Sequence, residues 1–409
     1  MNDLDGVLAA SHPVYDIASS ADHERVRRLA DSLLAGGLSH PELNELGNDR
    51  SKNLDLRVAT RIAASKKRLI DTRPSMSVAV VMAMWGEQRR LRPPGEDNPT
   101  GEDSLHVKLD QLDWLFTDSG IEWRIYAVDD GDPDDSAAVA LERAGEHRLG
   151  DRVTVLRLAD AVPTDSGPLA ELADVDQSRK GGAIVYGAMT AVADGFDAVI
   201  MTDADNSVDL AQVGLLAAAH AEEADVVIGD RKNPDSVLVR AEARWGPGIV
   251  ALRHMQRMVG HELFDRGIRD TQAAFKLYGR RPLETILAAP STYGFSFDSD
   301  WLYATIASNG TIASVPFAFI DSFAESASIT QGPMTTWESL LRGLVAAARS
   351  RGVDHHVEMA AVVDDLADAA TLEKVVAQVP PQLDGIDPTR LGDPEVMSAA
   401  EMRSWINGL

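Results

Sequence analysis

Between residues 77 and 228, short apolar runs alternate with amphipathic stretches. Five runs rich in β-branched residues predict strands at Ser77–Met84, Glu122–Val128, Arg152–Leu156, Ala198–Met201 and Asp225–Ile228. Between these runs, apolar residues recur at helical spacing near residues 104–117, 135–146, 180–193 and 208–222. Strands that alternate with helices are typical of an α/β protein with a mainly parallel sheet.

The two ends of the chain carry helical patterns without strand signals. Before residue 75, one pattern begins at Asp22 and ends at Gly36, and a second runs from Leu54 to Ile70. After residue 330, prolines separate predicted helices at residues 336–349, 357–379 and 398–406. We therefore predict three regions, which are an N-terminal helical extension at 1–74, an α/β domain at 75–330 and a C-terminal helical region at 331–409.

Composition restricts the classes of partner. The 409 residues are 44% hydrophobic and 25% charged, as in ordinary globular proteins. The net charge of −25 argues against nucleic acid and anionic lipid as bulk partners. Cysteine is absent, which excludes disulfides, thiolate nucleophiles and cysteine metal sites. The first residues do not resemble a signal peptide and no apolar run could span a bilayer, so we expect a cytoplasmic protein without stable membrane insertion.

Acidic residues follow two of the predicted strands directly. In an open parallel sheet, ligands bind at the carboxyl ends of the strands. Asp129 and Asp130 follow the second run, and helix capping, which Asp134 or Asp135 alone would satisfy, does not require them.

An Asp-x-Asp motif follows the fourth run. Two carboxylates at a strand end, Asp203 and Asp205, can share Mg²⁺ or Mn²⁺, or a cation-bound diphosphate. Aspartates also cap helices and form turns, so an isolated motif of this kind is weak evidence. The preceding strand favours the ligand role here.

Other polar groups have both a functional and a structural interpretation. Arg179 and Lys180 precede a helix, where they could meet a phosphate or be solvated. Arg231 follows a strand end and could contact an acceptor or lie in a solvated loop. Asp298 could cap a helix, and Asp300 could merely favour its dipole.

Seven motifs in one order resemble family 2 glycosyltransferases of the GT-A fold, closest to the dolichyl-phosphate and polyprenyl-phosphate branch. They are SVAVVMAMWGEQRRL, YAVDDGDPDDS, SRKGGAIVYGAM, VIMTDADNS, VVIGDRKN, GIRDTQAAFKLY and FSFDSDWLYATI. The resemblance covers about residues 75–325 and implies a Rossmann-like, mainly parallel mixed sheet flanked by helices. The membrane helices of that branch have no counterpart in this sequence, so a soluble acceptor is favoured.

Site residues follow from the resemblance by position. It implies donor-binding residues at Ala83, Trp85, Glu87, Asp129, Asp130, Arg179, Lys180, Asp203 and Ala204. The implied acceptor-binding residues are Arg231, Asp270, Thr271 and Gln272. Mg²⁺ or Mn²⁺ would be held by Asp205 and Asp203. The catalytic base would be Asp300, with Asp298 as the second candidate.

The implied function is transfer of a sugar, with inversion, from a UDP- or GDP-sugar to a small soluble hydroxyl or phosphate acceptor. Bacterial secondary metabolism is one setting that the composition allows, and the helices after residue 330 could pair chains into a homo-oligomer. Two alternatives stay open. One is a non-catalytic, glycosyltransferase-like nucleotide-binding protein. The other is a phosphotransferase of the haloacid dehalogenase type, although that class carries Asp-x-Asp on its opening strand.

Overall fold

A computed structural model describes residues 4–240, 246–322, 333–366 and 369–409. Four helices precede the first strand, and they are α1 Leu4–Ala10, α2 Ser20–Ala35, α3 His40–Asn48 and α4 Leu54–Thr72. The hydroxyl of Ser19 accepts a hydrogen bond from the Asp22 amide and so caps α2. A reciprocal capping box between Ser39 and Glu42 begins α3. These helices pack through their own apolar cluster, to which the small sheet described below also contributes.

Nine strands occur in the described part of the chain. They are β1 Val78–Met84, β2 Trp123–Asp129, β3 Val153–Arg157, β4 Ala198–Thr202, β5 Val226–Gly229, β6 Val237–Val239, β7 Phe275–Gly279, β8 Ile312–Val315 and β9 Ala318–Ile320. Seven form one sheet in the order β3-β2-β1-β4-β7-β5-β8, and β6 pairs with β9 in a small second sheet. Only β7 runs antiparallel to its neighbours in the large sheet.

This sheet confirms the prediction of a mainly parallel, mixed α/β fold, and all five predicted strands are present. The strands that the hydrophobic pattern did not predict are β6 to β9. Three of these four strands have only three or four residues, too few for a clear alternating pattern.

Helices cover both faces of the large sheet. They are α5 Gln88–Leu91, α6 Ser104–Phe116, α7 Ser136–Glu146, α8 Gly181–Ala193, α9 Val213–Ala221, α10 Ile249–Val259, α11 His261–Phe264, α12 Arg280–Leu287 and α13 Phe297–Ala307. Alternation along β1 places Val80 in a cluster with α6 and α9, and Val81 in a cluster with α8 and α13. Both faces of the central strand are therefore buried, as a continuous apolar run predicts.

The C-terminal part is helical, as predicted. It contains α14 Pro333–Arg351, α15 Val357–Asp365, α16 Ala369–Ala377 and α17 Ala399–Asn407. The predicted helix at 357–379 is thus two helices. Leu341 and Met359 belong to the same apolar cluster as Trp301 of α13, so these helices share the core of the sheet. The predicted boundary near residue 330 lies outside the described residues.

Among the described helices, none combines the length and the hydropathy that spanning a lipid bilayer requires.

The antiparallel strand brings two distant motifs together. Thr202, the last residue of β4, pairs with Phe275, the first residue of β7. The segment before β7 therefore meets the carboxyl ends of β1, β2 and β4 at one edge of the sheet. This edge is where the polar residues of the candidate site converge.

Candidate functional site

A cavity of about 1540 Å³ opens at the carboxyl edge of the sheet. Its lining includes fourteen of the predicted site residues, which are Ala83, Trp85, Glu87, Asp130, Arg179, Lys180, Asp203, Ala204, Asp205, Arg231, Asp270, Thr271, Gln272 and Asp298. Pockets for one drug-sized ligand are ~300–1,000 Å³, so this cavity has room for two substrates. Asp129 and Asp300 are absent from its lining.

The Asp-x-Asp motif lies at one end of the cavity. Asp203 forms an ion pair with the ammonium of Lys180. Burial alone would raise the pKa of Asp203. The charge of the Lys180 ammonium outweighs burial and holds this pKa below its ordinary value. For Asp205, burial and the charge of Asp203 both raise the pKa. The two carboxylates therefore repel each other, and a divalent cation between them would relieve that repulsion.

Further charges surround this pair. Lys108, fully buried in α6, donates from Nζ to the main-chain oxygen of Asp205 at 2.5 Å. Arg90 pairs with Glu87 at 2.8 Å and with Glu102 at 3.4 Å. Burial, with smaller contributions from Asp205 and Asp203, raises the pKa of Glu87 to about 7.

The turn before α8 is held in place by Asp130. The carboxylate of Asp130 accepts hydrogen bonds from the Ser178 hydroxyl and, at 2.6 Å, from the Lys180 amide. Lys180 has φ of 71°, a left-handed conformation that is uncommon outside glycine. These bonds stabilise the turn, and its geometry directs the Lys180 ammonium toward Asp203. Burial raises the pKa of Asp130 to about 6.

The position of Asp129 differs from our expectation that both Asp129 and Asp130 face the donor. Its carboxylate accepts hydrogen bonds from the amides of Gly131, Asp132 and Ala137, at 2.9, 3.0 and 3.2 Å. The carboxylate therefore shapes the turn after β2 and the start of α7. Only Asp130 of the two lines the cavity.

Asp298 lines the same cavity and interacts electrostatically with both Lys180 and Arg231. Its carboxylate forms an ion pair with Lys276, which is fully buried in β7. Its charge contributes to raising the pKa of Lys180 at the Asp-x-Asp end, and of Arg231 at the other end. A group that acts on both cations is close to each. Asp298 does not cap α13, because the start of that helix has no side-chain cap.

Asp300 was our first candidate for the catalytic base, which has to face the cavity. The structure places it elsewhere. It is fully buried and receives two hydrogen bonds from the guanidinium of Arg351 in α14, at 2.7 and 2.8 Å. It also accepts from the hydroxyl of Ser291 at 2.6 Å. The carboxylate thus joins α13 to the C-terminal helices and does not face the cavity.

We expect Asp300→Asn to lower the free energy of unfolding by about 3 kcal/mol, because it leaves the Arg351 guanidinium without its buried partner. Chemical denaturation measures this. The matched control is Asp364→Asn, which breaks an exposed pair with Arg349 of the same helix and should cost about 0–1 kcal/mol. Equal losses in the two variants would contradict the structural role.

Arg231 and Asp270, which also line the cavity, form an ion pair. The guanidinium donates to both carboxylate oxygens at 2.7 and 2.8 Å, and the Arg231 amide donates to the same carboxylate at 3.0 Å. Although burial acts the other way, these bonds hold the pKa of Asp270 far below its ordinary value. Arg231 also lies over the ring of Phe319. Asp270 is therefore a positioning group and a poor proton acceptor.

Several charged residues of the site were missed by sequence reasoning. They are Arg90, Lys108, Arg240, Arg253, Arg257, Arg269 and Lys276. A lysine on the apolar face of a helix could have signalled Lys108, which lies among Leu105, Leu109 and Leu112. Arg90, Arg269 and Lys276 fall within the quoted motifs but were not singled out there. Nothing in the segments around Arg240, Arg253 and Arg257 marks those arginines.

The Asp-x-Asp residues fit a divalent cation. Carboxylate oxygens are the donors that Mg²⁺ and Mn²⁺ prefer, and such ions usually keep several waters and substrate phosphates. Two carboxylates with an open cavity in front of them match that requirement. The Lys180 ammonium, which pairs with Asp203, shows that this oxygen already attracts a positive charge.

No protein-family model matches this chain. The polyprenol monophosphomannose synthase of Mycolicibacterium smegmatis is 26% identical over 188 residues, covering 43% of this chain and 69% of that enzyme. The match therefore lies within a part of this chain only.

Solved structures with a similar shape include two synthases. The glucosyl-3-phosphoglycerate synthase of Mycobacterium tuberculosis in complex with UDP is 15% identical, covers 72% of this chain and 85% of that one, and has a TM-score of 0.46. The mannosyl-3-phosphoglycerate synthase of Rubrobacter xylanophilus is 14% identical, with coverage of 78% and 86% and a TM-score of 0.46. The M. tuberculosis enzyme has also been crystallised with Mn²⁺ and UDP-glucose. Part of this chain is therefore similar in sequence to a sugar-transferring enzyme, and its sheet has the mainly parallel, mixed arrangement that the motifs predicted.

Proposed function

We propose that this protein is a metal-dependent, inverting glycosyltransferase that moves a sugar from a nucleoside diphosphate sugar to a small hydroxyl acceptor. One observation carries the proposal. Asp203, Asp205 and Asp298 line the same cavity. Two carboxylates that can bind one metal ion and a third that can accept a proton therefore face the same space. The sequence relationship to a sugar-transferring enzyme supports it.

The donor would bind at the Asp-x-Asp end. Asp205 and Asp203 would hold Mg²⁺ or Mn²⁺, which when bound neutralises the negative charge that grows on the departing diphosphate. Lys180 and Arg179 line the same end and can contact the phosphate oxygens. Trp85, Glu87 and Asp130 border this end of the cavity, where the nucleoside would bind.

Asp298 would be the catalytic base. As the acceptor oxygen bonds to the anomeric carbon, the sugar–phosphate bond breaks and the hydroxyl proton passes to the Asp298 carboxylate. Attack on the face opposite the leaving group inverts the anomeric carbon. Asp270 lines the cavity too, but the Arg231 guanidinium makes it too weak a base. Asp298 therefore replaces Asp300 in the role that we first assigned.

The strand order weighs against a haloacid dehalogenase type of reaction. In that class the nucleophilic aspartate follows the opening strand, whereas here Asp203 follows β4. A non-catalytic nucleotide-binding protein would need no base in the same cavity. Release of nucleoside diphosphate from a panel of UDP- and GDP-sugars, with mass spectrometry of the products, tests transfer against both alternatives.

We expect nucleoside diphosphate binding to weaken at least about tenfold when the divalent metal is removed, since two phosphates and two aspartates repel each other without it. Isothermal titration calorimetry of UDP and GDP, with Mn²⁺ and with chelator, measures this. In Asp205→Asn the chelator should make little further difference. Equal affinity of the wild-type protein in both conditions would refute the metal assignment.

A further inference from the structure

The end of the cavity away from the Asp-x-Asp motif is rich in positive charge. Lys232, Arg240, Arg253 and Arg257 line it, and we call these four residues the cation cluster. Arg253 and Arg257 are four residues apart in α10, so they lie on one face of that helix. Such a concentration stands out in a chain whose net charge is −25.

The described part of the chain neutralises the cation cluster poorly. Arg253 is exposed and has no hydrogen bond or ion pair to any residue that the structure describes. Lys232 donates to the main-chain oxygen of Arg269 at 2.5 Å, and Arg257 donates to that of Pro388. Main-chain oxygens orient a cation but do not cancel its charge.

Nearby acids offset little of this charge. Asp270 is already paired with Arg231, and the carboxylate of Asp265 lies 3.8 Å from His261. Burial and the charges of Arg231 and Arg253 lower the pKa of Arg240, and they outweigh the opposing charges of Asp270 and Asp321. Among the residues that the structure describes, positive charge is therefore in excess at this end of the cavity.

The effects on titration agree with that excess. Burial, together with Arg257, Arg231 and Arg253, lowers the pKa of Lys232 to about 8, against the opposing pull of Asp270. Burial and Arg253 also lower the pKa of Arg257. Cations that repel one another in a cavity are stabilised by an anion between them.

We propose that the cation cluster binds an anionic group of the acceptor, either a phosphate or a carboxylate, which is separate from the hydroxyl that receives the sugar. Arginine matches both groups because its planar guanidinium can form two parallel hydrogen bonds with them. The inference rests on the proposed function. Arg231 is close enough to Asp298 and to Lys232 to interact with the charge of each, and all three line one cavity. An acceptor whose anionic group is held by the cluster can therefore present its hydroxyl to the base in the same space.

Calorimetric titration with inorganic phosphate at constant ionic strength tests the anion site directly. We expect the double variant Arg253→Gln/Arg257→Gln to bind phosphate at least about tenfold more weakly than wild type, because two charge-assisted contacts are lost. The control is Arg403→Gln, an exposed arginine of α17 that pairs with Asp365 away from the cavity. Nucleoside diphosphate binding with Mn²⁺ should change little in either variant, which shows that the fold is intact.

The acceptor role is tested with small polyols, each offered as the neutral compound, its phosphate ester and its carboxylic acid. Wild type should transfer sugar to the anionic members, and the double variant should raise KM for them more than it lowers kcat. The preferred member distinguishes phosphate from carboxylate.

If neutral acceptors are used as well as the anionic ones, this inference is wrong and the proposed function still stands. Phosphate binding that is equal in wild type and double variant overturns the anion site. If wild type binds phosphate through these arginines but releases no diphosphate from any donor, the proposed function fails instead.

Discussion

Asp298→Asn is expected to reduce turnover ~10²–10⁴-fold, which is the usual contribution of a positioned proton acceptor. The substitution keeps the size of the side chain and removes its ability to take the proton from an acceptor hydroxyl. Donor affinity should change little, because Asp203 and Asp205 are untouched. Steady-state kinetics with an identified acceptor, together with donor calorimetry, separates these two effects.

The variant also removes the charged partner of the buried Lys276, so folding must be checked by denaturation. Asp298→Glu is the conservative variant for comparison. It keeps a carboxylate at this position and should therefore retain more turnover than Asp298→Asn. A folded Asp298→Asn protein with nearly normal turnover would mean that the acceptor needs no base, as an ionised phosphate would not.

Asp205→Asn is expected to reduce turnover ~10³-fold, because stabilisation of the leaving diphosphate by a metal is worth several kcal/mol. The matched control is Asp197→Asn, at the opposite end of the same strand, where the carboxylate binds Ser77 outside the cavity. Initial rates over a range of Mn²⁺ concentrations measure the loss. Full activity of Asp205→Asn at saturating Mn²⁺ would place the metal elsewhere.

The sheet follows from the sequence because local patterns determine it, and fourteen residues of the cavity lining follow from the family resemblance. Apolar runs specify the strands, and a parallel arrangement gathers the residues that follow β1, β2 and β4 at one edge. The antiparallel β7 could not be predicted in this way. Its pairing with β4 is a contact between segments some 70 residues apart, which leaves no periodic signal.

The two predicted aspartates that do not line the cavity, Asp129 and Asp300, show where elementary geometry limits a prediction from motifs. Asp129 and Asp130 are consecutive at a strand end, and successive side chains of a strand point to opposite sides. Asp298 and Asp300 are two residues apart in a helix, and residues at that spacing do not share a face. In each pair the motif drew attention to both acids, but the backbone lets only one reach the cavity.

The positions of the arginines depend on tertiary packing alone. Arg253 and Arg257 are on a helix with no recognisable motif, and they reach the cavity because α10 packs against the C-terminal helices. Lys276 is fully buried, and a fully buried position in a strand is normally occupied by an apolar residue. Only the fold explains the charge there, since it places Asp298 against the Lys276 ammonium.

The C-terminal helices bear on how this enzyme could diverge. Pro388, Thr389 and Leu391 line the cavity on the side of α10, whereas the Asp-x-Asp residues come from the sheet. Mutations that accumulate near residues 388–391 would reshape the acceptor end and leave the strand ends untouched. Under the proposed function, selectivity for the acceptor and selectivity for the donor would be encoded in separate stretches of the gene, and selection could act on one while the other stays constant.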